Sequence, residues 1–525
     1  MNNLPADIQL VLVSHTNNGK TTLTRTLLGA DVGEVRDAAH VTQRSEAHTL
    51  LTSQAGDKLQ LWDTPGFGDS VRLLKRLGNA DNPIGWFLRE VLDRYRDRPF
   101  WLSQQALRTA RDTCDVVLYL VNASESPEDA GYVPAEMQVL AWLGKPVLVL
   151  LNQIGPPRPM AQEHTEVDRW RGALQPYPLV RQIVPLDAFT RCWVHERVFY
   201  EALGSMVSTD KMAGQARLLA AWDARNIERF SQAMALTVAH LSAAAAARET
   251  IVSSQRRLLK SALQAAGIAR PPGKSSSKPS SQPSEQHSEQ APDDAALAMQ
   301  RLLERLERDI VGLTAKLATL HRLDAGAAAS IIARVNNNFA IRAPIGKAQA
   351  GMLGALIAGA TTGLTADLAT GGLTAGLGAI LGGVMGAITF AGAAWGFNAT
   401  TDRQTPTVQF APPLLRSLTA TGVLRYLAVI HFGRGRGQFV EGEAPAFWQA
   451  HVERAVATHE QNLQAVWQLL RAEGTRSQGE ARLSEAVTAI TVAVLQDLYP
   501  ESVIPGLLAL SPEYRRIGGY SVPAY

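Results

Sequence analysis

Between residues 14 and 22 the chain reads Ser-His-Thr-Asn-Asn-Gly-Lys-Thr-Thr, directly after the mostly apolar run 8–13. Small turn-forming residues ending in a lysine and two hydroxyls, set between a strand and a helix, suit the binding of a polyphosphate. Backbone N–H groups of the turn and of the helix N-terminus then converge on the anion. Lys20 supplies a point charge to the terminal phosphates and Thr21 a hydroxyl to Mg²⁺, while Ser14, Asn17, Asn18, Gly19 and Thr22 complete the nucleotide-binding loop. Ser14 stands where this pattern has glycine, and its small side chain still permits the turn.

A second cluster, Asp63-Thr64-Pro65-Gly66, closes an apolar strand at 59–62. A carboxylate at a strand end can hold the magnesium shell, and the Gly66 N–H can sense a γ-phosphate. Residues 31–49 are polar and lack sustained periodicity, as a switch loop would be. Thr42 is the candidate hydroxyl that reaches Mg²⁺ when a γ-phosphate is present; an ordinary solvated threonine is the alternative. The expected catalytic set is therefore Lys20, Thr42 and Gly66, and the expected metal set is Thr21, Thr42 and Asp63.

These groups need a rigid frame. Near-continuous Val and Leu runs at 115–123 and 146–153, a later strand at 182–189 and a helix near 134–143 predict an α/β domain. Its sheet should be mostly parallel, with helices on both faces. Residues 67–112 are longer than a connection needs and read as a helical insertion. Its aromatics, Trp86, Phe87, Tyr95, Phe100 and Trp101, are interleaved with balanced arginines and acids, which favours packing over stacking on nucleic-acid bases.

The remainder is mainly α-helical. An alanine-rich helix is expected over 209–262, then a Pro/Ser/Gln-rich disordered excursion at 271–294. The 4-3-4-3 spacing of Met299, Leu303, Leu306, Ile310, Leu313, Leu317 and Leu320 predicts a coiled-coil seam that pairs antiparallel with the preceding helix. Self-association through that seam, giving a homo-oligomer, is the alternative. Asp367 is the lone charge between Lys347 and Asp402, and glycines recur there at helical spacing. Two helices at 350–369 and 373–397, the second ending in the aromatics Trp395 and Phe397, are long enough to span or dip into a bilayer. A glycine-zipper hairpin buried in protein explains the same residues. Arg434 and Arg436, in a Gly-rich turn before a helix at 444–472, suit a lipid phosphate, a partner carboxylate or a plain turn. The expected units are 1–205, a nucleotide domain; 206–335, a helical hairpin; 336–400, the glycine-rich hairpin; and 401–525, a mainly helical domain.

The chain has 525 residues, a net charge of +3 and 19% charged residues. No global basic field points to nucleic acid. Cys114 and Cys192 are isolated in sequence, with no Cys or His cluster beside them, and read as buried small residues of a reducing compartment. The N-terminus, with no basic segment before an apolar core, reads as cytoplasmic.

The order of SHTNNGKT, Thr42, DTPGFGD, NQIG and LDAF resembles the Era-like branch of translation-factor-class GTPases over residues 1–205. The whole chain also resembles a bacterial family of predicted GTPases with a C-terminal domain of unknown function, recognisable in RYLAVIHFGRGRGQF at 425–439. The resemblance implies GTP and GDP as ligands with Mg²⁺, and base contacts from Asn152, Gln153 and Ala188. Gly155 departs from it, since the usual carboxylate that reads guanine N1 and N2 is missing. Phe67 stands where Ras-like proteins orient water with a glutamine. Asn17 matches the position that helps hold K⁺ in potassium-activated members, although an asparagine also fits a tight turn. The expected protein is a slow GTP-hydrolysing switch on the inner face of a membrane, with an unidentified protein partner. The alternative is a nucleotide-binding scaffold without turnover.

Overall fold

The computed structural model describes residues 4–29, 46–64, 66–67, 70, 74, 107, 110–155, 157–188, 192–250, 290–323, 395–398, 407–431, 445–512 and 514–515. The chain begins with β1 (Asp7–Ser14), α1 (Lys20–Leu28), β2 (Glu46–Thr52) and β3 (Lys58–Asp63). β4 (Val116–Asn122), α2 (Val133–Ala141), β5 (Val147–Asn152), α3 (Met160–Leu174), β6 (Val180–Pro185) and α4 (Trp193–Leu203) follow. The six strands form one sheet in the order β2-β3-β1-β4-β5-β6, and among them β2 alone is antiparallel to its neighbour.

The parallel strands are apolar at successive positions because both sheet faces are covered. Leu10, Leu12, Leu118, Leu120, Leu148 and Leu150 enter one core, and Val11, Val13, Val117, Tyr119, Val121 and Val149 enter another. This is the mostly parallel α/β domain expected from the sequence. One boundary differs: residues 46–49, expected in the switch loop, are the first half of β2. Pairing of β2 with β3 and burial of Leu50 and Leu51 outweigh the polar composition of the strand's start. Thr42 and most of the 67–112 insertion lie outside the described residues, while Phe67, Leu107 and Ala110 belong to the second core.

The helical region starts with α5 (Met212–Ala246), shorter than the expected 209–262 helix. Ala247 is extended, and β7 (Arg248–Thr250) pairs antiparallel with a strand far along the chain. α6 (Gln290–Leu320) begins inside the stretch expected to be disordered to residue 294. Pro292 does not prevent this, since proline is tolerated in the first turn of a helix. The rest of 271–289 lies outside the described residues.

α6 runs antiparallel to α5. Arg305 pairs with Glu249 just beyond the end of α5, whereas His321 at the far end of α6 lines a small cavity with Asn226 and Arg229. Met299, Leu306, Ile310, Leu313 and Leu317 are buried in the core they share with Phe230, Met234 and Leu241, so the chain itself covers most of the heptad seam.

β8 (Trp395–Asn398) and β9 (Thr407–Phe410) complete a three-stranded antiparallel sheet in the order β7-β9-β8. Residues 395–397, expected to end a second glycine-rich helix with interfacial aromatics, are instead in this ladder, where aromatic residues have high strand propensity. The rest of the 350–397 hairpin, Asp367, Arg434 and Arg436 lie outside the described residues. α7 (Pro412–Ile430), α8 (Ala446–Thr458), α9 (Glu460–Arg471), α10 (Arg476–Leu498) and α11 (Pro505–Leu508) finish the chain. The single helix expected at 444–472 is therefore two, interrupted at His459, whose ring bonds the Ala455 carbonyl. Among the described residues no helix is long and apolar enough to cross a membrane.

Helical region and sheet domain share the first core, which runs from Ile8 to Leu508. α5 docks on the sheet through Gly214, where an added Cβ would lie 2.2 Å from Ala6 Cβ. Beside it, Arg217 grips the fully buried Asp57 with Nε–Oδ2 and Nη2–Oδ1 distances of 2.7 and 2.6 Å. Lys211 reaches both oxygens of Asp115, and Trp193 Nε1 donates to Tyr426 Oη at 3.1 Å.

Candidate nucleotide site

β1 delivers the chain to Ser14 and α1 takes it up at Lys20, with the phosphate loop between. The turn needs left-handed backbone at Asn17 (φ 69°) and Gly19 (φ 89°). Asparagine tolerates that region, and glycine enters it without strain. Gly19 is doubly constrained, since a Cβ there would lie 2.7 Å from Asn152 Nδ2. Lacking a side chain, Gly19 cannot cap α1. An N-cap without a side chain leaves room for an anion at the helix N-terminus, whose dipole favours negative charge.

Lys20 is only 7% exposed. Its ammonium donates to Ser14 Oγ at 3.0 Å, which gives the serine at this loop's first position a role glycine could not fill. Burial pushes the Lys20 pKa down to about 8, against the opposing pull of Asp63 and Glu136. Gly66 lies so near that a Cβ would be 2.9 Å from Lys20 Nζ and 3.1 Å from Thr16 Cα. Phe67 N donates to Ser14 O, and Thr16 Oγ1 donates to Phe67 O, tying the second motif to the first. The Phe67 ring is fully buried in the core under the loop.

Thr21 Oγ1 donates to Asp63 Oδ2 at 2.9 Å. A hydroxyl and a carboxylate side by side are hard oxygen donors of the kind Mg²⁺ takes, and these two residues would hold it. Thr22 is buried on α1. Asn18 is also buried, with Nδ2 3.2 Å from Leu120 O and 3.3 Å from Tyr132 Oη.

At the base end, Asn152 is fully buried and its carboxamide is engaged within the protein. Nδ2 donates to Asn18 O at 2.8 Å, and Oδ1 accepts from Ala188 N at 2.9 Å. Asn152 thus clasps the phosphate loop to the Leu186–Ala188 segment. Gln153 and Gly155 have positive φ. Asp187 Oδ2 accepts from Ile154 N at 2.6 Å, so a carboxylate does reach this loop, from the neighbouring strand end. Phe189 lies outside the described residues.

Sequence reasoning missed a polar group beneath the loop, formed by His15, Tyr119, Tyr132 and Glu136. One signal was available: Glu136 sits on the apolar face of α2 with Val133, Met137 and Leu140, where a solvated acid has no place.

Residues 9–153 match the family model described as 50S ribosome-binding GTPase, and residues 179–498 match the model described as Domain of unknown function (DUF3482). The second match takes in well over half of the chain. The chain belongs to the DUF3482 family. Its N-terminal part is a P-loop GTPase domain, as the phosphate loop and the Asp63 cluster anticipated. No curated protein sequence matches the chain significantly.

Among solved structures, an Aquifex aeolicus Era variant bound to GDP and aluminium fluoride aligns at 18% identity, with a TM-score of 0.26. The alignment spans 40% of this chain and 56% of that one. Era bound to MgGDPNP and a 16S ribosomal RNA fragment aligns at 18% identity, with a TM-score of 0.27 over 41% and 57% of the two chains. A member of an oligomerised bacterial dynamin pair, described as sensing and tethering membranes, aligns over 98% of this chain and 72% of its own at 10% identity and a TM-score of 0.21. The chain thus spans little more than half the length of the Era structures. At these values the activities of those proteins do not transfer to it.

Proposed function

We propose that this DUF3482 member binds GTP and GDP at the Ser14–Thr22 loop and hydrolyses GTP slowly, as a switch whose state passes to the helical region. One observation carries the reading: Lys20 holds a buried ammonium between Ser14 and Gly66, its pKa lowered by burial, at the junction of the Ser14–Thr22 loop and the first turn of α1. Lys20 and the first-turn amides bind the phosphates, Gly66 N–H meets the γ-phosphate, and Thr21 and Asp63 hold Mg²⁺, with Thr42 as the third metal group. Mg²⁺ held there would neutralise the negative charge of the phosphates. Calorimetric titration with GTP and GDP tests binding, and phosphate release tests turnover. Release that survives Lys20→Ala would remove the enzymatic reading.

Base selectivity is relaxed in this reading. Asn152 braces the two loops, and Gly155 offers no carboxylate. A GTP preference over ATP beyond about 10⁴-fold would mean that another residue reads the base. With Phe67 turned into the core, electrostatic stabilisation is the remaining lever on the rate, so hydrolysis should be faster in K⁺ than in Na⁺ and depend on Asn17. The buried Phe67 also favours a second reading, a nucleotide-binding scaffold without turnover, and single-turnover measurement separates the two.

The 350–394 segment is the part we assign to a membrane surface, at the cytoplasmic face, since Trp395–Asn398 belong to the small sheet. Full-length protein should then pellet with vesicles, and a chain lacking 350–394, which keeps β8, should not. We take 1–205 as the nucleotide unit and the rest as the responding region, acting on a protein partner or a second copy of the chain rather than on nucleic acid.

A further inference from the structure

Glu136 is fully buried on α2, where an apolar side chain would pack at lower cost, because a buried carboxyl must be hydrogen-bonded to be tolerated. Its partners come from other elements. Oε1 lies 2.9 Å from His15 Nδ1 in the phosphate loop, and Oε2 accepts the Tyr119 hydroxyl of β4 at 2.6 Å. Burial raises the Glu136 pKa, against the hydrogen bonds from His15 and Tyr119. Whichever of Glu136 and His15 holds the proton between them, the bond persists.

The rest of the loop is tied to the same place. The His15 ring stacks on Tyr132, 4.3 Å between centroids with an 18° interplanar angle. Tyr132 Oη lies 3.3 Å from Asn18 Nδ2 and 3.4 Å from Glu125 Oε2. The backbone of His15 also bridges to Phe67. Residues 15–18 turn through a left-handed Asn17, outside any strand ladder, and such a loop keeps one shape only where side chains pin it.

We propose that Glu136 is a positioning residue of the phosphate loop, holding its anion-binding shape through His15. The inference rests on the reading of this loop as a polyphosphate site. Glu136 touches no phosphate; it sets the free loop near its bound form, so that binding does not have to order it.

The test is calorimetric titration of the full-length chain with GDP, alongside thermal melts. Glu136→Gln keeps an acceptor for His15 and can donate to Tyr119, and should retain affinity within about twofold. Glu136→Ala and His15→Ala should each weaken GDP about tenfold, and the double variant should also lose about tenfold, not a hundredfold, because both remove one tie. His15 is only half-buried, so its variant keeps the test available if Glu136→Ala does not fold. GDP affinities unchanged in the alanine variants, or losses that multiply, overturn the proposal. A wild-type chain that does not bind GDP overturns the nucleotide reading itself, and that result is distinct from wild-type binding with indifferent variants.

Discussion

Replacing Lys20 by methionine should stabilise the nucleotide-free protein while abolishing its phosphate affinity. The Lys20 ammonium is buried, and its pKa falls from the ordinary 10.5 to about 8. At about 1.4 kcal/mol per pH unit, holding the charged form inside the fold costs about 3 kcal/mol at neutral pH. Methionine fills similar volume without the charge but loses the hydrogen bond to Ser14, worth about 1 kcal/mol. The net gain is about 2 kcal/mol at pH 7. The pH dependence has a definite sign. Between about pH 8 and 10.5 the unfolded chain holds a proton on Lys20 that the folded chain has released, so wild-type stability rises with pH across that window. The methionine variant lacks this rise. Nucleotide affinity runs the other way, because phosphates need the ammonium, and it should fall as pH passes 8. Urea unfolding of both proteins without nucleotide, at pH 7 and pH 10, reads the effect as a difference between them. A variant less stable than wild type at pH 7, or a gap that does not narrow by pH 10, would refute the argument.

Three further outcomes follow from the geometry. Arg217 and the backbone of Ala6 hold the Asp57 carboxyl well below the usual range, so the pair stabilises the chain above about pH 4 and that contribution is lost on further acidification. Arg217→Met should move the acid-unfolding midpoint upward, and Asp57→Asn should flatten the profile. Gly19→Ala forces an L side chain to φ 89° and a Cβ to 2.7 Å from Asn152 Nδ2; the backbone strain alone costs about 1–2 kcal/mol, and GDP titration should show weakened binding. Asn152→Ala opens the clasp between Asn18 and Ala188 and leaves buried groups unpaired, so a loss of about 2–4 kcal/mol should appear in denaturant unfolding.

The mostly parallel sheet was legible because its central strands β4 and β5 are short Val/Leu runs, a pattern that burial on both faces produces, whereas the first half of β2 was hidden by its polar composition. The phosphate end of the site was legible for a related reason. Its groups, from Ser14 to Thr22 and from Asp63 to Gly66, are local in sequence, and backbone chemistry dictates their residue types. The base end was less so: that Asn152 clasps Asn18 and Ala188, and that Asp187 reaches Ile154, depends on two strand ends meeting in space.

Long-range pairing decided the rest. β7, β8 and β9 are three or four residues each, too short for a periodicity of their own, and β7 comes from a part of the chain distant from the other two; their pairing is what turns Arg248–Thr250 and Trp395–Asn398 away from helix. Glu136 looked like a misplaced acid on a helix until β4 and the phosphate loop were brought against it. Amino-acid type and spacing determined which segments bury and where a phosphate can sit, because those follow from local sterics and solvation. Which buried polar group meets which partner was decided only by the tertiary structure, because a hydrogen bond depends on atomic position and residue type alone does not specify it.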